Sequence, residues 1–85
     1  MKLTAKLETL LLTAVRATGS YDPSDTMHVI EESLTLEEYQ TGSAFLGWVH
    51  RGVEQGKVRH FGHSNIRKRF GEFKRSVKAK KEAPN

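Results

Sequence analysis

The last third of the chain combines a dense run of positive charge with apolar residues at helical spacing. Residues 57–81 contain ten of the fourteen Lys and Arg residues and a single acid, Glu72. Apolar side chains recur within this run at intervals of four, three and four residues: Ile66, Phe70, Phe73 and Val77. That spacing is typical of one face of an α-helix, and such a face must be buried. The most basic segment of the chain is therefore predicted to dock as a helix on an apolar surface formed by the rest.

Charge is divided unequally between the two parts of the chain. Residues 1–56 contain four basic and eight acidic residues and carry a net charge of −4. Residues 57–85 contain ten basic and two acidic residues and carry +8, so the whole chain carries +4. A positive balance of this kind is typical of proteins that bind nucleic acid, acidic protein surfaces or membrane headgroups. We therefore expect a partner to bind the basic part.

A first helix is predicted near the N-terminus. Residues 3–17 carry apolar side chains at spacings of three and four: Leu3, Leu7, Leu10, Leu11, Ala14 and Val15. Thr4 is a suitable N-cap, and Gly19 lies where a left-handed residue ends a helix. This helix carries little polar chemistry, so we interpret it as scaffold.

A second, short helix is predicted after Asp22 and Pro23. Aspartate is a favourable N-cap, and proline suits the first helical position. The helix would continue to about Ser33. A strand over residues 27–30 is the alternative, because this run is short and partly β-branched.

A third helix is indicated by the capping-box spacing of Thr35 and Glu38. Gly42 and Ser43 either interrupt this helix or allow it to continue to Gln55. An interruption would give two helices joined by a tight turn that contains glycine, which is the layout of a helix-turn-helix.

The residues after the third helix favour a short β-hairpin. Residues 57–66 place the turn-forming run 62–65 between two polar strands. Basic residues and histidines would crowd onto this hairpin: Lys57, Arg59, His60, His63 and Arg67. In layout, residues 34–77 resemble winged-helix DNA-binding proteins, including the small phage excisionases, in which a hairpin follows a helix as the wing.

The last helix is predicted to begin at a cap at Ser64 or Asn65 and to end near Lys78. Residues 1–78 would then form a single small helical domain, and residues 79–85 a disordered basic tail. The predicted fold is mainly α, with four to five short helices and one small β-hairpin in a winged-helix-like layout.

Basic side chains fan across the side of the last helix that is opposite to its apolar stripe, at about 100° per residue. Gly71 lies within this fan, where its missing side chain would let a phosphate approach the backbone. Phosphates favour several Lys and Arg residues at once, because each contact releases condensed counterions. The predicted nucleic-acid contacts are Lys57, Arg59, His60, His63, Arg67, Lys68, Arg69, Lys74, Arg75 and Lys78. Lys2 and Lys6 are expected to lie elsewhere, on a near-neutral helix.

Trp48 lies outside the apolar stripe of its own helix, on the same side as Arg51. It either packs against the first helix or a second copy of the chain, or forms an exposed contact for a partner or an unstacked base. Trp48 and Arg51 are therefore secondary candidates for a partner contact.

Metal binding and catalysis find little support in the sequence. His60 and His63 stand three residues apart, but no nearby Cys or acidic residue completes a usual set of zinc ligands. Hydrogen bonding to phosphates or base edges is the role that we expect for these histidines. The chain has no phosphate-binding glycine loop, nucleophile elbow or HExxH motif. We expect no metal, no cofactor and no enzymatic activity.

The absence of cysteine, and of an apolar run long enough for a signal sequence or membrane span, favours a cytoplasmic protein without a membrane partner. The predicted function is that of a small regulator or accessory factor that binds nucleic acid, DNA rather than RNA. The alternative is a protein-interaction module or inhibitor, of the phage or mobile-element type, whose basic helix docks on an acidic protein surface. Either role is compatible with a homodimer.

Overall fold

The computed structural model describes residues 2–56 and 65–82, and this part of the chain is helical apart from short connections. Its α-helices are α1 (Ala5–Thr18), α2 (Pro23–Thr26), α3 (Leu36–Glu54) and α4 (Ile66–Glu82). Two single-turn 3₁₀ helices, Met27–Val29 and Glu31–Ser33, connect α2 to α3. The predicted mainly α class is confirmed. Among the described helices, none combines the length and the apolar character needed to span a membrane.

Both ends of α1 form as predicted. The Thr4 hydroxyl accepts a hydrogen bond of 3.1 Å from the Leu7 backbone N–H. Gly19 adopts a left-handed conformation with φ of 67°, and its N–H donates to the Val15 carbonyl. These local bonds satisfy backbone groups that a helix end leaves free.

The second predicted helix is much shorter than expected. It ends at Thr26, and Ile30 is non-helical, with φ of −120° and ψ of 0°. Thr26 is buried, and its hydroxyl donates 2.8 Å to the Asp22 carbonyl, which anchors the segment to the preceding turn. The 3₁₀ geometry that follows aligns positions three apart and so buries both Met27 and Ile30. The prediction of a helix to Ser33 and the alternative of a strand are therefore both wrong.

Helix α3 is continuous through Gly42, so the helix-turn-helix alternative is wrong. Gly42 is buried inside the helix, where an added Cβ would lie 3.1 Å from Met27 Cε and 3.3 Å from Leu11 Cδ2. The glycine therefore serves the close approach of α1 to α3 and does not form a turn. The predicted capping box is present, with Thr35 and Glu38 each hydrogen-bonding the backbone N–H of the other.

The predicted β-hairpin is not shown. No strand or sheet occurs in residues 2–56 and 65–82, and residues 57–64 lie outside the described part of the chain. Ile66, which the hairpin would have included, is the first residue of α4. It is fully buried, and the Arg69 N–H already donates 3.0 Å to the Asn65 carbonyl, which closes the first helical turn. The winged-helix-like layout is therefore corrected to a fold whose described elements are all helical.

The core lies between α1, α3 and α4 and ends on an aromatic cluster. Phe45 of α3 meets Phe70 of α4 edge-on with ring centroids 5.1 Å apart, and Phe73 lies 5.6 Å from the same ring. Trp48 packs against Phe73 at 5.9 Å. The buried apolar residues are Leu7, Leu11, Ala14, Met27, Ile30, Phe45, Leu46, Val49, Ile66, Phe70 and Phe73. The apolar stripe of α4 is thus docked as its spacing predicts.

Helix α4 continues to Glu82, four residues beyond the predicted end at Lys78. Residues 79–82 continue the helix, and residues 83–85 lie outside the described part of the chain.

Candidate nucleic-acid interface

Burial of its apolar stripe fixes the orientation of α4. Because Ile66, Phe70 and Phe73 face the core, the residues about 100° to 180° around the helix must face outward. Four exposed cations occupy that outward side, which we call the basic face: Lys68, Lys74, Arg75 and Lys78. Among the residues whose side chains the structure describes, 2–56 and 65–79, none of the four is paired with a carboxylate.

Arg67 lies between Lys74 and Lys78 around the helix and also ties α4 to α1. Its Nε is 2.9 Å from Glu8 Oε2, yet 70% of the Arg67 side chain is exposed. The Glu8 oxygen is buried and accepts no hydrogen bond, so the charge of Arg67 is what compensates it. Arg67 can therefore stabilise the fold with one nitrogen and present its remaining donors outward.

Arg69 is set apart from the other predicted contacts. Its side chain is only 12% exposed, and Nη1 donates 2.8 Å to Glu72 Oε1 on the same helix. This pair lies on the opposite flank of α4 from Lys74 and Arg67, as the positions around the helix require. Arg69 is therefore ion-paired within its own helix and lies away from the basic face.

Lys2 joins the cations of α4, although the sequence placed it on a different surface. Lys2, Leu3, Arg67, Phe70, Gly71 and Lys74 line an open groove of about 280 Å³. Lys6, by contrast, forms an ion pair of 3.1 Å with Glu38 of α3. No signal in the sequence separates these two lysines, because their neighbours depend on how α4 packs beside α1.

Gly71 also lines this groove. A Cβ built at Gly71 would meet only Arg75 Nη1, at 3.7 Å. The glycine is therefore not required by packing, and its missing side chain keeps the groove open. The sequence correctly indicated a glycine among the cations but gave no sign of the concave surface.

Four of the predicted contacts lie outside the described part of the chain: Lys57, Arg59, His60 and His63. The described residues contain no group of three His, Asp or Glu side chains that could hold a metal ion. His50 approaches two carboxylates, at 3.3 Å from Glu54 Oε1 and 3.9 Å from Asp22 Oδ2.

Trp48 is half-buried and packs against Phe73 of α4. Arg51 is exposed, and its Nη1 lies only 3.3 Å from the position of a Cβ on Gly47. The guanidinium thus folds back along α3. A partner contact by these two residues stays a prediction.

Two carboxylates of the acidic part are stabilised in their charged form. The hydroxyl and backbone N–H of Ser24 donate to Asp22 and hold the pKa of that carboxyl below its ordinary value, with a smaller contribution from His50. The Thr35 backbone N–H, and then Lys6, lower the pKa of Glu38 in the same way. These groups serve helix starts, which is the role that the helix dipole favours.

The arrangement is suited to binding a polyanion. One helix face presents cations without acidic partners among the described residues, while the other face is fixed in the core. The chain matches no family model, no curated protein and no solved structure. Evidence for a function therefore comes from its own residues.

Proposed function

We propose that this protein binds nucleic acid, preferably duplex DNA, through the basic face of α4, as a small regulator or accessory factor. The observation that carries the proposal is the set of exposed cations, Lys68, Lys74, Arg75 and Lys78, without carboxylate partners in the described residues. Eight of the ten acids of the chain lie in residues 1–56, and α4 carries only Glu72 and Glu82 among its many cations.

The dimensions of α4 support a duplex as the partner. Lys68 and Lys78 are ten residues apart, which is about 15 Å along a helix at 1.5 Å per residue. The major groove of DNA is about 12 Å wide and admits an α-helix. Cations along one face can then reach phosphates on the groove edges, and every contact releases counterions.

The anchoring of α4 supports the proposal in a second way. A basic segment that is unstructured before binding must lose conformational entropy when it binds. Here the aromatic contacts of Phe70 and Phe73 with Phe45 already hold the helix. The cations are thus presented on a pre-formed element, and more of the electrostatic free energy is available for binding.

Fluorescence anisotropy with labelled duplex DNA, single-stranded DNA and RNA over a series of salt concentrations tests the proposal. With four to five phosphate contacts, the slope of log affinity against log salt should be about −4 for the duplex. Absence of binding to all three at low salt would contradict the proposal and favour docking on an acidic protein surface.

Charge reversal on the basic face, with a matched control elsewhere, distinguishes binding through this face from an effect of the net charge of the protein. Lys68→Glu and Arg75→Glu should each weaken duplex binding and flatten the salt slope by about 1 or more, because each removes a phosphate contact and adds repulsion. Arg16→Glu makes the same change of net charge at an exposed position near the end of α1 and should have a much smaller effect. Equal losses at all three positions would show that only net charge matters.

A further inference from the structure

The surface between the first residues of the chain and α4 is concave. Lys2 and Leu3, which precede α1, line the groove of about 280 Å³ together with Arg67 and Lys74 of α4. Two cations from one helix and one from a separate segment thus converge on a single space. That convergence depends on tertiary structure and does not follow from the charge pattern of α4.

The groove has the physical features of an anion site. Its apolar wall, supplied by Leu3 and Phe70, has a low dielectric constant, and clefts of this kind that are lined by one sign of charge concentrate the electric field. Arg67, which lines the groove, is paired through its Nε with the Glu8 carboxylate of α1. The Arg67 side chain is 70% exposed, so its two terminal nitrogens can reach a ligand in the groove, and this fork matches two oxygens of a phosphate.

The size of the groove limits what it can hold. Small-molecule sites that enclose a drug-sized ligand are about 300–1,000 Å³, so an open groove of about 280 Å³ suits one charged group and its waters better than a whole cofactor. Gly71 contributes to this space, because an added Cβ there would meet nothing closer than Arg75 Nη1 at 3.7 Å.

We propose that Lys2, Arg67 and Lys74 form a phosphate-binding subsite in the groove above Gly71, with Glu8 as the positioning residue for Arg67. The subsite deepens the proposed function and rests on it for the source of the phosphate, which is a nucleic-acid backbone. A free phosphorylated molecule would present the same chemistry. The test therefore examines phosphate binding and duplex binding separately.

The first experiment is a titration with inorganic phosphate, followed by backbone amide NMR shifts, with chloride at equal ionic strength as the reference. Shifts should be confined to residues 2–3 and 67–74. Gly71→Leu should abolish them, because leucine fills the groove while favouring the helix, and Lys2→Gln should weaken phosphate binding several-fold without touching any helix. Arg16→Gln should leave the shifts unchanged. Equal shifts at all basic residues, or an unaltered titration in Gly71→Leu and Lys2→Gln, would overturn the subsite.

The second experiment compares the salt dependence of duplex binding. Lys2→Gln should flatten the slope by about 0.9, as the loss of one phosphate contact requires, and Arg16→Gln should not.

If phosphate binds in the groove but Lys2→Gln binds the duplex as the parent does, the subsite stands and its phosphate comes from a free molecule. If the parent binds no nucleic acid, the proposed function fails while the phosphate titration still decides the groove. If the duplex binds and phosphate does not, the groove alone is wrong.

Discussion

At the scale of single residues, two helix-interior glycines have opposite environments. Gly42 is buried between α1 and the first 3₁₀ helix, where the space for a side chain is occupied by Met27, Leu11 and Leu7 at 3.1 to 3.4 Å from an added Cβ. Gly71 opens onto the groove, with only Arg75 near that position. Glycine inside a helix costs about 1 kcal/mol relative to alanine, so only Gly42 is compensated by packing.

Substitution of these glycines should therefore change stability in opposite directions. Gly71→Ala should raise the free energy of unfolding by up to about 1 kcal/mol, because helix propensity improves without a clash. Gly42→Val should lower it by about 1 to 3 kcal/mol, because extra methyl groups overpack the core. Urea denaturation followed by circular dichroism measures both. A stabilised Gly42→Val variant would mean that α1 and α3 are further apart than described.

At the scale of elements, carboxylates at helix starts make the stability of the fold depend on pH. Glu38 closes the capping box of α3 and pairs with Lys6 of α1, so its charged form supports both the helix and its packing. The pKa of Glu38 is lowered from an ordinary value of 4.5, and that of Asp22 from 3.8. The folded protein then binds fewer protons than the unfolded chain in the acid range. Stability is full above the ordinary values and is lost as pH falls through and below them.

Glu38→Gln should reduce this loss of stability in acid. Glutamine retains an oxygen that can accept the Thr35 N–H but does not titrate, so the variant should lose less stability than the parent between pH 6 and pH 3. Glu37→Gln is the matched control, because Glu37 is exposed in the same helical turn. Urea denaturation at several pH values provides the measurement. Identical pH profiles for the parent and Glu38→Gln would show that the capping carboxylate contributes nothing through its charge.

At the scale of the whole molecule, the aromatic cluster determines whether the basic part is folded onto the acidic part. Phe73 contacts Phe45, Phe70 and Trp48 with ring centroids 5.6 to 5.9 Å apart. Removal of this one ring loosens the contact between α3 and α4. Because the chain contains a single tryptophan, the emission of Trp48 reports on that contact directly.

Phe73→Ala should lower the free energy of unfolding by about 3 to 5 kcal/mol, the usual cost of deleting a buried phenylalanine ring. Trp48 emission should shift to the red and become more accessible to a quencher in the folded variant. Leu36→Ala is the control, since Leu36 is 73% exposed and should change neither property appreciably. A Phe73→Ala variant with the stability and emission of the parent would mean that α4 is not docked in solution.

The sequence alone determined the features that depend on nearby residues. The caps at Thr4, Asp22 and Thr35 formed as predicted because each bond joins groups two or three residues apart. The apolar stripe of α4 predicted its buried face, since the period of a helix is the same in every context. A mainly α fold followed from these local signals.

Only the tertiary structure decided which residues meet across elements. The chain continues as a helix through Gly42, where α1 packs closely, and the backbone leaves the helical conformation at Ile30. Likewise, Lys2 joins the groove on α4 while Lys6 pairs with α3. The physical reason is that periodicity fixes the face that a helix buries, whereas the neighbour on that face depends on how all the helices pack together.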